Sequence, residues 1–247
     1  MALFVMPVLH IIKCIQILKR KTLRNGGWLR HSSHKFLCRL RRRKEEDVMR
    51  NEKVQKLVMT GVFAALSYVV FTFLQIKISL PGGDATSIHL GNAVCVLGAL
   101  ILGGLYGGVG GAIGMTIGDL FDPVYVVYAP KTFLLKLCIG LITGFIAHRL
   151  GHITHTSDKR KILLWTTLAA VGGLVFNMIA DPLVGYFYKL LILGKPAADI
   201  TLAWNIASTS INAVLSAIVS VAVYMALRPA LQKAGLFWRI GKEENKQ

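Results

Sequence analysis

Six apolar stretches dominate the chain between residues 56 and 227. They lie at 56–76, 87–105, 106–121, 132–150, 162–181 (with an apolar continuation to 193) and 200–227. A helix needs about 20 mostly apolar residues to cross a hydrocarbon layer roughly 30 Å thick, because each residue adds about 1.5 Å. All six are long enough, or nearly so. The second and third run together, and Gly103-Gly104-Leu105-Tyr106-Gly107-Gly108 divides them. One helix would far overrun the layer, so these glycines supply a turn between two. The expected fold is all-α, a polytopic bundle of six transmembrane helices.

Composition agrees. Only 17% of residues are charged and 54% are hydrophobic, whereas a soluble domain carries about 25% charged residues. The net charge of +17 would suit nucleic-acid binding if it were spread over a folded surface, but residues 1–50 hold 13 of the 29 Lys/Arg and only 3 of the 12 acidic residues. The chain therefore divides into a basic leader at 1–48, a membrane domain at 49–228 and a basic tail at 229–247. The leader admits three readings: an interfacial amphipathic helix, a basic arm for RNA or lipid, or sequence upstream of the true start. The third is favoured, because Met49-Arg50-Asn51-Glu52-Lys53 makes a natural beginning before the first span. A chain begun at Met49 should then insert and function normally.

Cys14, Cys38, Cys95 and Cys138 show no CxxC or His pairing. They read as small buried hydrophobes, and neither a metal site nor a cofactor is expected. Orientation follows from Lys/Arg asymmetry. From residue 51 on, 11 basic residues fall on one side: Lys53, Lys56, Arg149, Lys159, Arg160, Lys161, Arg228, Lys233, Arg239, Lys242 and Lys246. Five fall elsewhere: Lys77, Lys131, Lys136, Lys189 and Lys195. Both termini are expected in the cytoplasm of a cell (plasma) membrane protein.

The third helix carries Gly107 and Gly111, and Gly110, Gly114 and Gly118, at spacings of four. Small residues so spaced let helix backbones approach closely in lipid. Gly61 and Ala65 on the first helix, with Ala64 beside them, make a similar patch that could pack inward or meet another membrane subunit.

Polar side chains inside spans are costly and mark function by default. The candidates are His89, Asn92, Asp119, Lys136, Asn177, Asp181, Asn205 and Asn212. All but Asn212, near the midplane, fall in the outer half, and outer loops add Tyr125, Tyr128, Tyr186, Tyr188 and Trp204. Amides and aromatic rings together suit a small, flat heterocyclic ligand. Structural roles compete with this reading. Trp204, Tyr186 and Tyr188 could form an interfacial belt, Asp119 and Lys136 an ion pair, and Asp181-Pro182 a helix end. Asn92, Asn177 and Asn212 could be interhelical glue, and His89 could sit at headgroup level.

His89-Leu90-Gly91-Asn92, the helix ending Gly118-Asp119-Leu120, and Tyr128-Ala129-Pro130-Lys131-Thr132 resemble the S components of energy-coupling factor (ECF) transporters, riboflavin-type subgroup. The resemblance covers roughly residues 50–228. It implies a six-helix subunit, not an enzyme, that binds a vitamin or vitamin precursor (riboflavin, pyridoxine, or the hydroxymethylpyrimidine/thiamine class) from outside. It further implies association with a coupling transmembrane subunit and two cytoplasmic ATPase subunits, with Gly61 and Ala65 at the docking positions. Residues 80–87, containing Pro81-Gly82-Gly83, would form a lid. The implied substrate-binding set is Asn92, Asp119, Tyr128, Lys136, Asn177, Asp181, Trp204, Asn205 and Asn212. Two other classes compete: a stand-alone ion-coupled carrier using Asp119 and Lys136, and an intramembrane aspartyl enzyme using Asp119 and Asp181. Position 116 is Thr, so the GxGD pattern such an enzyme would carry is broken.

Overall fold

The structure, a computed structural model, describes residues 52–80, 84–194 and 198–234. The leader, the start expected at Met49, the Pro81-Gly82-Gly83 tip of the expected lid and the tail beyond residue 234 lie outside the described residues.

Among the described residues there are six α-helices and one hairpin. In chain order they are α1 (Glu52–Phe73), β1 (Gln75–Leu80), β2 (Asp84–His89), α2 (Gly91–Leu102), α3 (Gly104–Leu120), α4 (Ala129–Gly144), α5 (Lys159–Phe187) and α6 (Ala198–Lys233). Short π-helical stretches, Phe145–Leu150 and Tyr188–Ile192, extend α4 and α5. Four of these segments are long and apolar enough to cross a membrane: Glu52–Phe73, Val126–Leu150, Lys159–Ile192 and Thr201–Lys233. The protein is a polytopic helical membrane bundle.

The span expected at 87–105 is corrected. Its first residues belong to β2, and α2 holds only 12 residues, about 18 Å of helix. The first span also ends early, at Phe73, and Gln75 and Ile76 open β1. The strands pair antiparallel from Gln75 with His89 to Leu80 with Asp84. This pairing satisfies backbone groups that an irregular segment at the bundle end would leave open.

The junction between α2 and α3 is the turn the glycines predict. Gly103 sits at φ 93°, a conformation that side chains disfavour. Beyond it, α3 uses its glycines on three faces. A β-carbon at Gly110 would stand 2.9 Å from the Thr60 carbonyl of α1, and one at Gly118 would stand 2.6 Å from Phe71. At Gly111 it would meet Cys95 of α2 at 2.6 Å, and at Gly108 the Leu137 carbonyl of α4 at 3.0 Å. Three helices thus pack onto α3 at backbone distance.

Two further corrections concern α5 and α6. Asp181-Pro182 does not end α5, which runs through Pro182 to Phe187, and α6 passes Pro229 in the same way. A proline forfeits one N–H, a loss that packed membrane helices accommodate. At its start, α5 is capped by Asp158, whose carboxylate accepts from the Arg160 N–H at 2.9 Å. Buried Arg228 donates to Tyr224 Oη (3.1 Å) and to the Thr156 carbonyl (3.0 Å), tying α6 to the loop before α5.

Candidate ligand-binding cavity

The end of the bundle that carries the hairpin encloses a cavity of about 100 Å³. Each wall has a sequence reason. Pro130 starts α4 with its φ already helical, and from there Thr132, Leu135 and Lys136 share one inward face. On α5, Asn177, Asp181, Gly185 and Lys189 recur every four residues, so continuation through Pro182 aligns them on one side. On α6, Asn205, Ser208, Thr209 and Asn212 form a polar stripe. Asp119 enters from the last turn of α3, and β2 closes the cavity with Thr86, Ser87 and His89.

Ion pairs organise the walls. Lys131 Nζ stands 2.5 Å from Asp181 Oδ1, and Lys136 Nζ is 3.5 Å from Oδ2 of the same carboxylate. Lys136 also donates to Asn177 Oδ1 at 3.2 Å. Gly185 leaves room for this: a β-carbon there would lie 3.3 Å from Lys131 Nζ. A second pair joins Lys189 to Asp84 Oδ2 at 2.5 Å, with the Thr201 hydroxyl accepting from Lys189 at 3.0 Å and Tyr128 Oη donating to Asp84 at 3.1 Å. The Lys131 and Lys189 ammonium groups stand 5.8 and 5.7 Å from the centre of the Tyr128 ring, within cation–π range.

The hairpin is fastened to α6. Asn212 accepts from the His89 N–H and donates to the Ser87 carbonyl, both at 2.9 Å, and the Thr86 and Ser208 hydroxyls are 2.6 Å apart. On its other strand, Lys77 pairs with Asp122. Burial alone would raise the Asp122 carboxyl, but the Lys77 bond and charge and the Val124 and Tyr125 N–H groups bring it below the ordinary value. His89 behaves differently. Burial, reinforced by the Lys136 charge and only partly opposed by Asp181, pushes its imidazole down to about 3. It is neutral at physiological pH. Since Nδ1 accepts from the Gly91 N–H at 3.2 Å, the proton resides on Nε2.

Of the residues singled out from sequence, Asp119, Tyr128, Lys136, Asp181, Asn205 and Asn212 line this one cavity, together with His89. Asn177 stands behind it, orienting Lys136. Asn92 is fully buried on α2, outside the cavity lining. Trp204 also lies outside the lining and is 48% exposed. No Asp119–Lys136 salt bridge forms: Lys136 pairs with Asp181 on α5, and its charge reaches Asp119 only at longer range. Asp181, held by two lysines, is unlike one half of an aspartyl dyad.

Sequence reasoning passed over Asp84, Lys131 and Lys189. Lys189 counted only toward topology, and Lys131 only toward topology and the family motif, although the four-residue rhythm Asn177-Asp181-Gly185-Lys189 carries the signal for Lys189 once Pro182 is read as helical.

A membrane-spanning bundle that gathers charged side chains around a cavity at one end falls in the class of integral-membrane solute-binding proteins. Residues 51–229 match the model of the family described as ECF-type riboflavin transporter, S component, and the chain belongs to that family. It is therefore a vitamin-binding transport subunit rather than an enzyme, and as an S component it associates with an ECF module. A UPF0397 protein of Streptococcus agalactiae serotype Ia is 26% identical over 166 residues, 67% of this chain and 86% of that protein. An uncharacterized protein of Pyrococcus woesei is 26% identical over 137 residues, 56% of this chain and 80% of its own length. No solved structure matches the chain significantly.

Proposed function

We propose that this S component captures a vitamin or vitamin precursor at the outer face of the cell membrane, in the cavity between the hairpin and α3–α6. Both termini then lie in the cytoplasm. The observation that carries the reading is that the charged cavity gathers at the hairpin end, whereas Arg149, Lys159, Arg160, Lys161, Arg228 and Lys233 belong to segments joined at the opposite end. The positive-inside rule assigns that basic end to the cytoplasm.

Docking on a coupling transmembrane subunit, itself joined to two cytoplasmic ATPases, is proposed to use α1. Gly61 and Ala65 are exposed there, a β-carbon at Gly61 would meet nothing within 4 Å, and Leu57, Val58 and Val62 are more than half exposed beside them. Such a face leaves room for a second helix at close range. The test is Gly61→Leu. Uptake and co-purification with the coupling subunit should be lost while ligand retention and thermal stability persist, because the added side chain starts from a β-carbon with nothing of this chain within 4 Å. Loss of ligand binding along with assembly would count against the assignment.

A further inference from the structure

A second concavity lies between α5 and α6, a groove of about 810 Å³ that shares no lining residue with the cavity. Its α5 wall runs from Leu163 to Met178, and its α6 wall from Ala213 to Met225. The α5 wall alone is about 22 Å long, more than the roughly 15 Å that one leaflet contributes to a hydrocarbon core. Thr167 is its single polar lining residue among those described. The shape follows from the sequence. Ala213 and Ala217 of α6 are buried or half-buried and keep the floor low, while Val171, Val175, Val214 and Ile218 stand at least 40% exposed beside it. These walls are β-branched, and in a helix such side chains hold one preferred rotamer, so the furrow is stiff rather than self-filling.

Two observations identify what lies in it. Helices that dock in lipid do so where small residues at the contact let backbones approach closely. Here the exposed walls are branched aliphatic side chains, and a helix about 10 Å across would ride on them without entering. A thin, flexible acyl chain can follow the floor. The second observation is charge. Arg160, Leu163, Thr167, Val171, Leu174 and Met178 recur at intervals of three and four, so the groove face of α5 leads straight to Arg160 at its basic end. Lys159 and Lys161 flank Arg160, all three are exposed, and together they outweigh the capping carboxylate of Asp158. Arg228 adds charge at the same end of α6, one turn past Met225. Basic residues that serve topology alone need no alignment with a groove. Basic clusters at the end of an apolar interhelical groove recognise anionic lipid headgroups.

We infer that this groove is a binding site for an anionic phospholipid of the leaflet at the basic end. One acyl chain lies between α5 and α6, and the phosphate stands at Arg160 and its flanking lysines. The site is separate from the vitamin cavity and goes beyond the function proposed above.

The full-length chain, purified in detergent and stripped of lipid, tests this by thermal unfolding with added phosphatidylglycerol, phosphatidylcholine or inorganic phosphate. Phosphatidylglycerol should stabilise at concentrations at least about tenfold lower than phosphatidylcholine, since each basic residue near an anionic headgroup contributes about fivefold. Arg160→Gln should reduce that preference by about fivefold. Val171→Trp, which fills the groove from an exposed position, should raise the phosphatidylglycerol concentration required. Equal stabilisation by the two lipids overturns the inference, as does a response to inorganic phosphate alone that matches phosphatidylglycerol. A titration unchanged in both variants means ordinary surrounding lipid and also overturns it. Cross-linking of Ile218→Cys in cells to a second copy or to another membrane protein would replace the lipid with a protein occupant.

Discussion

The two ends of this bundle are held together by opposite means. Toward the basic end, α3 meets α1, α2 and α4 through Gly104, Gly107, Gly108, Gly110 and Gly111, with Gly140 and Gly144 facing it from α4. Toward the hairpin end, neighbouring segments meet through lysines, aspartates, amides and hydroxyls. Glycine contacts gain only dispersion energy and tolerate no added atom. Charged contacts tolerate some rearrangement, but not the loss of one partner alone. The first kind builds a rigid core. The second builds walls whose hydrogen bonds a ligand can replace, which is why recognition is proposed at that end.

That contrast can be broken most sharply at the Lys189–Asp84 pair, which is almost wholly buried. Lys189→Met alone should destabilise the protein by roughly 3–5 kcal/mol, because the buried Asp84 carboxylate loses the Lys189 charge. The double variant Lys189→Met/Asp84→Leu should recover much of the loss in thermal unfolding. Equal losses in the single and double variants would mean that the pair is not the holding element. At the other end, Gly107→Leu should cost about 1–3 kcal/mol from overpacking. Here no trimming of a charged partner can help, since the neighbours are the α2 backbone at Gly98 and Ala99. Unchanged stability in this variant would remove the distinction between the two ends.

A third effect concerns pH. His89 has a folded value of about 3 against an ordinary 6.5, so the unfolded chain takes up its proton first. Its contribution to stability is complete above about pH 6.5 and declines as pH falls toward 3. The unfolding midpoint should therefore drop between pH 7 and 4, and His89→Gln should flatten part of that drop. A variant with an unchanged pH profile would mean that His89 is not buried as neutral imidazole.

The helices were legible because a span needs length and apolarity and little else, and the glycine spacing of α3 named its packing partners' geometry in advance. The hairpin was hidden for the same reason. Ile76 and Ile78 alternate with polar residues, but they abut α1, and Ser87–Ile88 abut α2, so hydropathy absorbed both strands into helices. The gathering of polar groups toward one end was readable from depth alone. Which of them pair was not, because pairing depends on rotation about each helix axis. Pro182, which conventionally marks a helix end, masked the face that presents Asp181 and Lys189 together. Trp204 illustrates the converse: its position along α6 suits the cavity, yet its side chain is 48% exposed and outside the lining.

We propose that the cavity beside Thr132 and Ser208 is the ligand site and opens to the outside. A single cysteine at Ser208, in a chain whose native cysteines are replaced by alanine, probes this in intact cells. Labelling by a membrane-impermeant maleimide added from outside, with protection when the transported ligand is present, is the expected result. Labelling that requires permeabilised cells, or that proceeds at the same rate with ligand bound, would contradict it.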